Sequence, residues 1–328
     1  MKKIGVIGHG SWGTALVKML CENQEQIHWW IRSEETINEI KTNKHNPNYL
    51  QDVTFDISQL RLTSDINQIV ADSDIIILAI PSIYIKQSFE KLTLDLKDKI
   101  IFSAVKGIVP EDNMILGDFL HIKYQVPYEN IGVISGPCHA EEVAMERLSY
   151  LTIACSDESK AEIIAKALAC RYIKTKVSDD IFGTEYATIL KNIYAIAAGM
   201  AQSLGYGDNF QAVLVSNAIR EMDRFVAAVH PIQRDTKNSA YLGDLLVTAY
   251  SKFSRNRMFG SFIGKGYSVK SVIAEMRMVA EGYYASKGIH DIVVEKQINC
   301  PISEAVYNIV YNNQNAKKTF EALTNQLD

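Results

Sequence analysis

The sequence predicts an α/β protein in two parts: a doubly wound, largely parallel sheet, then an all-α domain. Three observations carry this. A glycine-rich turn, Gly8-His9-Gly10-Ser11-Trp12-Gly13, stands between a β-rich run and a helical run at the start. Strand-like and helix-like stretches then alternate as far as Asp179. Beyond Asp179 the strand signals stop. The expected division is residues 1–179 and residues 180–328, with no repeat, low-complexity segment or Pro/Ser-rich linker between them.

Lys3 to Ile7 reads as the first strand, and Thr14 to Glu22 as the helix that follows. In that setting GxGxxG is a dinucleotide-binding signal. Gly8 permits the tight turn, Gly10 lets a pyrophosphate approach the backbone, and Gly13 lets the helix pack closely on the strand. His9 reads as a loop residue. Gln26 to Ile31 is the second strand. An acid at its end would suit an unphosphorylated ribose; Arg32-Ser33 stands there instead, a cation and a hydroxyl suited to a 2′-phosphate. Glu34 and Glu35 follow, where acids suit the start of a helix. The balance favours NADP(H) over NAD(H).

Asp74 to Ile80 is a continuous apolar run, as expected of a strand buried on both faces, and Tyr84 to Leu94 reads as a helix after it. Lys99 to Ala104 is a strand running into Lys106-Gly107, and Asn130 to Ile134 is one running into Ser135-Gly136-Pro137. Leu151 to Cys155 and Tyr172 to Lys176 complete the sheet signals. Ligands bind such sheets at the carboxyl ends of the strands, which makes Ser82, Lys106 and Gly136 candidates for one cleft.

In the second part, residues 183–204, 211–228, 242–253, 269–289 and 302–312 read as helices. The first is apolar nearly all round, with Leu190, Ile193, Ala197, Ala198 and Ala201 at helical spacing. Within Tyr186 to Leu204 one charge, Lys191, interrupts the apolar pattern. An unpaired ammonium taken out of water is costly, so Lys191 either runs its head to the surface or has a use. Periodicity leaves both readings open. Asp244 stands among apolar residues, where an acid often caps a helix. Ser254-Arg255-Asn256-Arg257 joins two guanidinium groups to hydroxyl and amide donors, near Gly260, Gly264 and Gly266. That is either a solvated basic loop or a mobile site for a phosphate or carboxylate.

A chain of 328 residues is long enough for two cores. A net charge of −4 gives no electrostatic reason to expect nucleic acid or an anionic membrane as partner. The longest apolar run, Ile75 to Pro81, is too short for a bilayer span, and the start of the chain lacks a signal-peptide layout, so a cytoplasmic protein is expected. Five cysteines without a CxxC pair and seven histidines without ligand spacing support neither a disulfide framework nor a metal site.

Seven segments in order, GHGSWGTAL, SAVKG, SGPCHAEE, LKNIYAIAAG, LGDLLVT, SRNRMFG and VAEGYY, resemble those of bacterial NAD(P)-dependent sn-glycerol-3-phosphate dehydrogenases from end to end. The resemblance implies a Rossmann-like domain followed by a helical domain like the C-terminal one of 6-phosphogluconate dehydrogenase. It implies that Ser11, Trp12, Arg32, Ala140, Val279 and Glu281 touch the dinucleotide, while Lys106 and Arg255 touch both cofactor and substrate. Gly136 and Cys138 would contact the substrate, Lys191 would donate or accept the proton, and Asp244 would orient it. Ser254 and Asn256 would help hold the phosphate. The implied reaction is reversible hydride transfer between NAD(P)H and dihydroxyacetone phosphate, by a homodimer, supplying glycerol phosphate for phospholipids. A related β-hydroxyacid or opine-type dehydrogenase is the second reading, and the Arg255-Asn256 phosphate site separates the two. A non-catalytic dinucleotide sensor would need neither Lys191 nor Asp244. The chain departs from the family pattern at Cys138 (usually Ser or Thr), His139 (Phe), Ala187 and Thr188 (glycines), Tyr241 (Gly) and Asn217 (Arg).

Overall fold

The computed structural model describes residues 2–276 and 279–328. It divides into two compact units. One runs to Val105 and includes Met114–Ile181; the other comprises Lys106–Asn113 and Phe182–Asp328.

The first unit is built on eight strands: β1 (Ile4–Ile7), β2 (Ile27–Trp30), β3 (Leu60–Thr63), β4 (Ile75–Leu78), β5 (Ile100–Ser103), β6 (Ile131–Ser135), β7 (Ser149–Cys155) and β8 (Ile173–Ser178). They lie side by side in the order β3-β2-β1-β4-β5-β6-β7-β8. β1 to β6 run parallel to one another, β7 is antiparallel to β6, and β8 is parallel to β7. β1, β2 and β4 are buried at every position, which is why β4 reads as a continuous apolar run. The register sets Ile4 beside both Ile27 and Ile75, so the carboxyl ends of these three strands are level. The strand order reverses at β1, and a sheet of this kind takes its ligand at that crevice.

β3 was not anticipated from the sequence. Only Leu60 of its four residues is buried, so an edge strand of this kind carries almost no hydrophobic pattern. The helix expected over Tyr84 to Leu94 contracts to a 3₁₀ turn, Ser82–Tyr84, and one short helix, Ile85–Phe89.

The second unit is organised around the Lys191 helix, Ile181–Ser203, which is buried along nearly its whole length. Three glycines set how closely other backbone approaches it. A Cβ on Gly199 would lie 2.0 Å from the carbonyl oxygen of Arg257, and one on Gly260 would lie 2.0 Å from that of Ile196. A Cβ on Gly282 would lie 2.6 Å from the carbonyl oxygen of Asn192. The first two fasten the Arg255 helix (Arg255–Gly264), and the third fastens the start of the Glu281 helix (Glu281–Lys296). The last contact accounts for a break the sequence does not announce. The single helix expected over Val269 to Ile289 is two, Val269–Glu275 and Glu281–Lys296, and Asn256 Oδ1 accepts the Gly282 N–H at 2.9 Å. That bond occupies an N–H which a continuous helix would have used internally.

A second buried anchor lies across the same unit. Glu221, on the helix Asp208–Val229, accepts from the Ile302 and Ser303 amides at 2.8 and 2.9 Å and from Ser303 Oγ at 2.6 Å. A carboxylate thus caps the Pro301 helix (Pro301–Val310), and burial raises its pKa against the pull of those three bonds.

A methyl group at Gly260 has nowhere to go. Gly260→Ala is expected to destabilise the helical unit by about 2 kcal/mol, the scale of overpacking a filled core. Denaturant unfolding followed by circular dichroism measures it, and an unchanged midpoint would contradict the close approach.

Candidate active site

In the first unit the glycine turn joins β1 to the helix Ser11–Cys21. Gly8 has φ of +126°, and a Cβ there would lie 2.4 Å from the Ala79 carbonyl oxygen. A Cβ on Gly13 would lie 2.3 Å from the carbonyl oxygen of Gly8, whereas one on Gly10 would meet nothing within 4 Å. The first and third glycines are therefore required by the turn's own packing. The second presents backbone to open space, as close approach of a pyrophosphate needs. Gly10 is also the helix N-cap, so no side chain caps that terminus. Trp29 Nε1 supports the turn from beneath by donating to the Gly8 carbonyl at 2.8 Å.

Arg32 is exposed just past β2, and Ser33 caps the helix Glu34–Asn43 by accepting from the Thr36 amide at 3.3 Å. Glu34 accepts from the Ser64 hydroxyl. Ser11 is buried and Trp12 half-buried at the start of the first helix. Gly136, past β6, has φ of +122°, and a Cβ on it would lie 2.6 Å from the Tyr150 carbonyl oxygen. Cys138 is buried, and Ala140 opens a short helix, Ala140–Ala144. An open Gly10 backbone, a helix terminus without a side-chain cap and a cation at the end of β2 fit a nicotinamide dinucleotide.

In the second unit Lys191 neither snorkels nor reaches solvent. Its Nζ lies 2.5 Å from Asp244 Oδ1, with the two side chains 4% and 2% exposed. Asp244 is not a helix cap. A π-turn, Ser239–Gly243, precedes it, Gly243 occupies the cap position, and Asp244 is the first residue of a short helix, Asp244–Tyr250. The helix expected over Leu242 to Phe253 is thus shorter and begins later. Freed from capping, the carboxylate serves the lysine. Thr248 Oγ1 donates to the Asp244 carbonyl at 2.6 Å and steadies that first turn.

Lys106 belongs to this unit and not to the sheet it follows. Asn192, adjacent to Lys191, donates from Nδ2 to the Lys106 carbonyl at 2.9 Å. Ile108 fills the space over Gly288, where a Cβ would lie 2.8 Å from its Cδ1, and Asn113 Nδ2 donates to Asp291 at 2.8 Å. Ser254 caps the Arg255 helix, its Oγ accepting from the Arg257 amide at 3.3 Å. Asn256 is buried and tied through Oδ1 to Gly282, whose Cα rests on the Asn192 carbonyl. Val279 precedes the Glu281 helix and Glu281 is its first residue. The second unit therefore holds Lys106, Lys191, Asp244, Ser254, Arg255, Asn256, Val279 and Glu281, and the first holds Gly8, Gly10, Ser11, Trp12, Gly13, Arg32, Gly136, Cys138 and Ala140. Asn192 and Thr248 went unremarked as individual residues in the sequence. The signal for Asn192 was its place beside the one charge in an apolar helix.

A glycine turn of this build on a doubly wound sheet, carried with a helical unit that buries a lysine against an aspartate, defines a nicotinamide-dependent dehydrogenase. Two family models narrow the class. The model for the N-terminus of NAD-dependent glycerol-3-phosphate dehydrogenase matches residues 3–161, and that for its C-terminus matches residues 180–321. The glycerol-3-phosphate dehydrogenase [NAD(P)+] of Limosilactobacillus reuteri is 33% identical, over 98% of this chain and 96% of that one. That of Listeria monocytogenes is also 33% identical, with the same coverage. The crystal structure of glycerol-3-phosphate dehydrogenase from Coxiella burnetii superposes with a TM-score of 0.89 at 26% identity, covering 98% of each chain. This chain belongs to the NAD-dependent glycerol-3-phosphate dehydrogenase family. Among the described residues, no helix is long and apolar enough to cross a membrane.

Removing Asp244 alone leaves a buried ammonium without that partner. Asp244→Ala is expected to destabilise the chain by about 3 kcal/mol, whereas the double variant Lys191→Met, Asp244→Leu recovers most of that loss. Equal stability of the two variants in urea would show that the charges are not coupled.

Proposed function

We propose that this chain catalyses the reversible reduction of dihydroxyacetone phosphate to sn-glycerol 3-phosphate, and that residues 1–179 bind the dinucleotide while residues 180–328 handle substrate and proton. The observation that carries this reading is the buried Lys191–Asp244 pair, in one unit with Lys106, Arg255 and Asn256. The bound nicotinamide supplies the hydride for C2 in one direction and accepts it in the other. The remaining work falls to the chain.

Lys191, as the ammonium, donates its proton to the ketone oxygen as negative charge develops there, and takes it back in the reverse direction. Asp244 fixes the position of Nζ and stabilises its charged form. Lys106 adds a second cation, its backbone located by Asn192. Arg255 offers the phosphate a two-pronged guanidinium at the start of a ten-residue helix, a terminus that favours anions. Asn256 has its carbonyl side committed to Gly282, so its amide NH₂ is the group that serves the phosphate. Ser254 shapes the helix terminus by capping it. Gly136 and Cys138 are assigned to the substrate, the thiol as a weak donor where a hydroxyl is usual. Ser11, Trp12, Arg32, Ala140, Val279 and Glu281 are assigned to the dinucleotide, with Lys106 and Arg255 shared. The Arg32-Ser33 pair supports NADP(H) as the preferred cofactor. A homodimer acting in the cytoplasm and supplying glycerol phosphate to phospholipid synthesis completes the reading.

Lys191→Ala is expected to lower kcat by at least about a thousandfold with NADPH affinity retained. An oxidation assay with dihydroxyacetone phosphate, alongside equilibrium titration of the cofactor, measures both. Near-normal turnover would remove Lys191 from the chemistry. Arg32→Ala is expected to weaken NADPH about tenfold or more and NADH little, since only the former carries the 2′-phosphate.

A further inference from the structure

His9 fills the variable position between the first two glycines of the turn, where a side chain is not needed for the turn itself. Here it is half-buried, and its ring meets Tyr49 edge-on with centroids 6.4 Å apart. The loop that carries Tyr49 is fastened to the turn. Asn46, fully buried, donates from Nδ2 to the His9 carbonyl and to Thr14 Oγ1, both at 2.8 Å, and accepts from the Asn48 amide at 3.0 Å. The imidazole is thus held in place by its own backbone and by a ring beside it.

The charged group that acts on His9 is Arg32, at the end of β2. Burial first, and that guanidinium second, hold the imidazole below its ordinary pKa. Of the other ionisable groups on neighbouring elements, Glu34 is engaged by Ser64, and His45 has its ring nitrogen on the Asn46 carbonyl at 3.2 Å. Lys44, past the end of the helix Glu34–Asn43, is exposed. β1 and β2 pair Ile7 with Trp30, and the Gly8 amide donates to the Trp30 carbonyl at 3.3 Å, so His9 and Arg32 leave adjacent strands at the same level, beside a helix terminus capped by Ser33.

We propose that His9 is a proton-coupled reader of the cofactor's 2′-phosphate: it takes up one proton when a dianionic phosphate lies against Arg32, and donates a charge-assisted hydrogen bond to it. The proton comes from solvent and is returned when the cofactor leaves; no covalent bond changes. The pyrophosphate is common to both dinucleotides and a 2′-hydroxyl brings no charge, so the difference in proton uptake between the two reports the 2′-phosphate alone. The inference rests on the NADP(H) reading of Arg32 and deepens it, since discrimination between the two cofactors becomes dependent on pH.

The sign follows from linkage. His9 binds its proton more tightly in the phosphate complex than in the free chain. NADPH binding is therefore strengthened fully at pH below the free-chain value, and loses that strengthening as pH rises through the value in the complex. A phosphate of this kind is already dianionic above about pH 7, so its own titration does not confuse the range from pH 7 to 9.

The experiment measures Kd for NADPH and for NADH at pH 7, 8 and 9 on the full chain, by equilibrium titration of intrinsic fluorescence. The expected preference for NADPH falls about three- to tenfold across that range in the parent chain. In His9→Gln the preference is lower at pH 7 and flat. In His9→Lys, which keeps a cation throughout, it is restored and flat. Calorimetry in buffers of different ionisation heat is expected to show more proton uptake with NADPH than with NADH. The same pH profile in His9→Gln as in the parent chain, or no more proton uptake with NADPH than with NADH, overturns the proposal. An Arg32→Ala variant separates the two levels. If it leaves the preference unchanged, the 2′-phosphate reading itself fails; if it abolishes the preference while His9→Gln keeps the parent profile, only the role of His9 fails.

Discussion

The pairing of Lys191 with Asp244 is the constraint on which the helical unit depends. Two charges taken out of water lose hydration that their mutual attraction returns only when the geometry is close and rigid. A pair of apolar side chains of similar size would hold the same helices together at least as well, so stability does not account for these charges. What the pair supplies is an ammonium whose position is fixed to a fraction of an ångström. That explains why the Lys191 helix is met by glycines. Gly199, Gly260 and Gly282 bring backbone against backbone, a contact with few degrees of freedom, on the same turns that follow Lys191. Side chains in those places would separate the helices and let the pair drift apart.

The same logic applies to the segment Lys106–Asn113. The chain leaves β5, spends eight residues with the helical unit, and then returns to the sheet unit. Asn192, Gly288 with Ile108, and Asp291 with Asn113 hold it there. Lys106 is thereby located by the residue next to Lys191 and not by the strand it follows. Three cations, Lys106, Lys191 and Arg255, then share one unit with Asp244.

Much of this was legible in the sequence for physical reasons that can be named. A strand buried on both faces leaves a continuous apolar run, which located β4. The glycine turn was legible because steric exclusion at Gly8 and Gly13 admits no other residue, and Lys191 because a lone charge on an apolar helix is conspicuous. The parts that were not legible depend on partners distant in sequence. β3 is half-exposed and leaves no pattern. The break before Glu281 has no proline to announce it, and at it Asn256 takes the Gly282 amide while the Asn192 carbonyl leaves no room for a side chain on Gly282. Whether Asp244 capped a helix or met Lys191 turned on a π-turn that no local preference signals. The placement of Lys106 with the helices was hidden because its anchors, Asn192, Gly288 and Asp291, lie far along the chain.

Ala187, Thr188 and Tyr241, where the resemblance implies glycines, are all buried. Their bulk has to be absorbed without moving Lys191 from Asp244. Thr188 resolves its own polarity, since Oγ1 donates to the Glu185 carbonyl at 2.8 Å within the helix. Tyr241 is the larger change, and it lies inside the π-turn Ser239–Gly243. There the Gly243 amide bonds to the carbonyl of Asn238, five residues back, at 3.3 Å. A π-turn holds more residues per turn than an α-turn, so it widens the backbone where the phenol must fit. The distortion ends at Gly243, and Asp244 begins an ordinary helix with its carboxylate on the lysine. Asn217 stands where an arginine is usual and is likewise employed elsewhere, its Nδ2 on the carbonyls of Val213 and Asp328 at 3.0 and 2.7 Å. Around all of these side chains the Lys191–Asp244 contact itself stays closed at 2.5 Å.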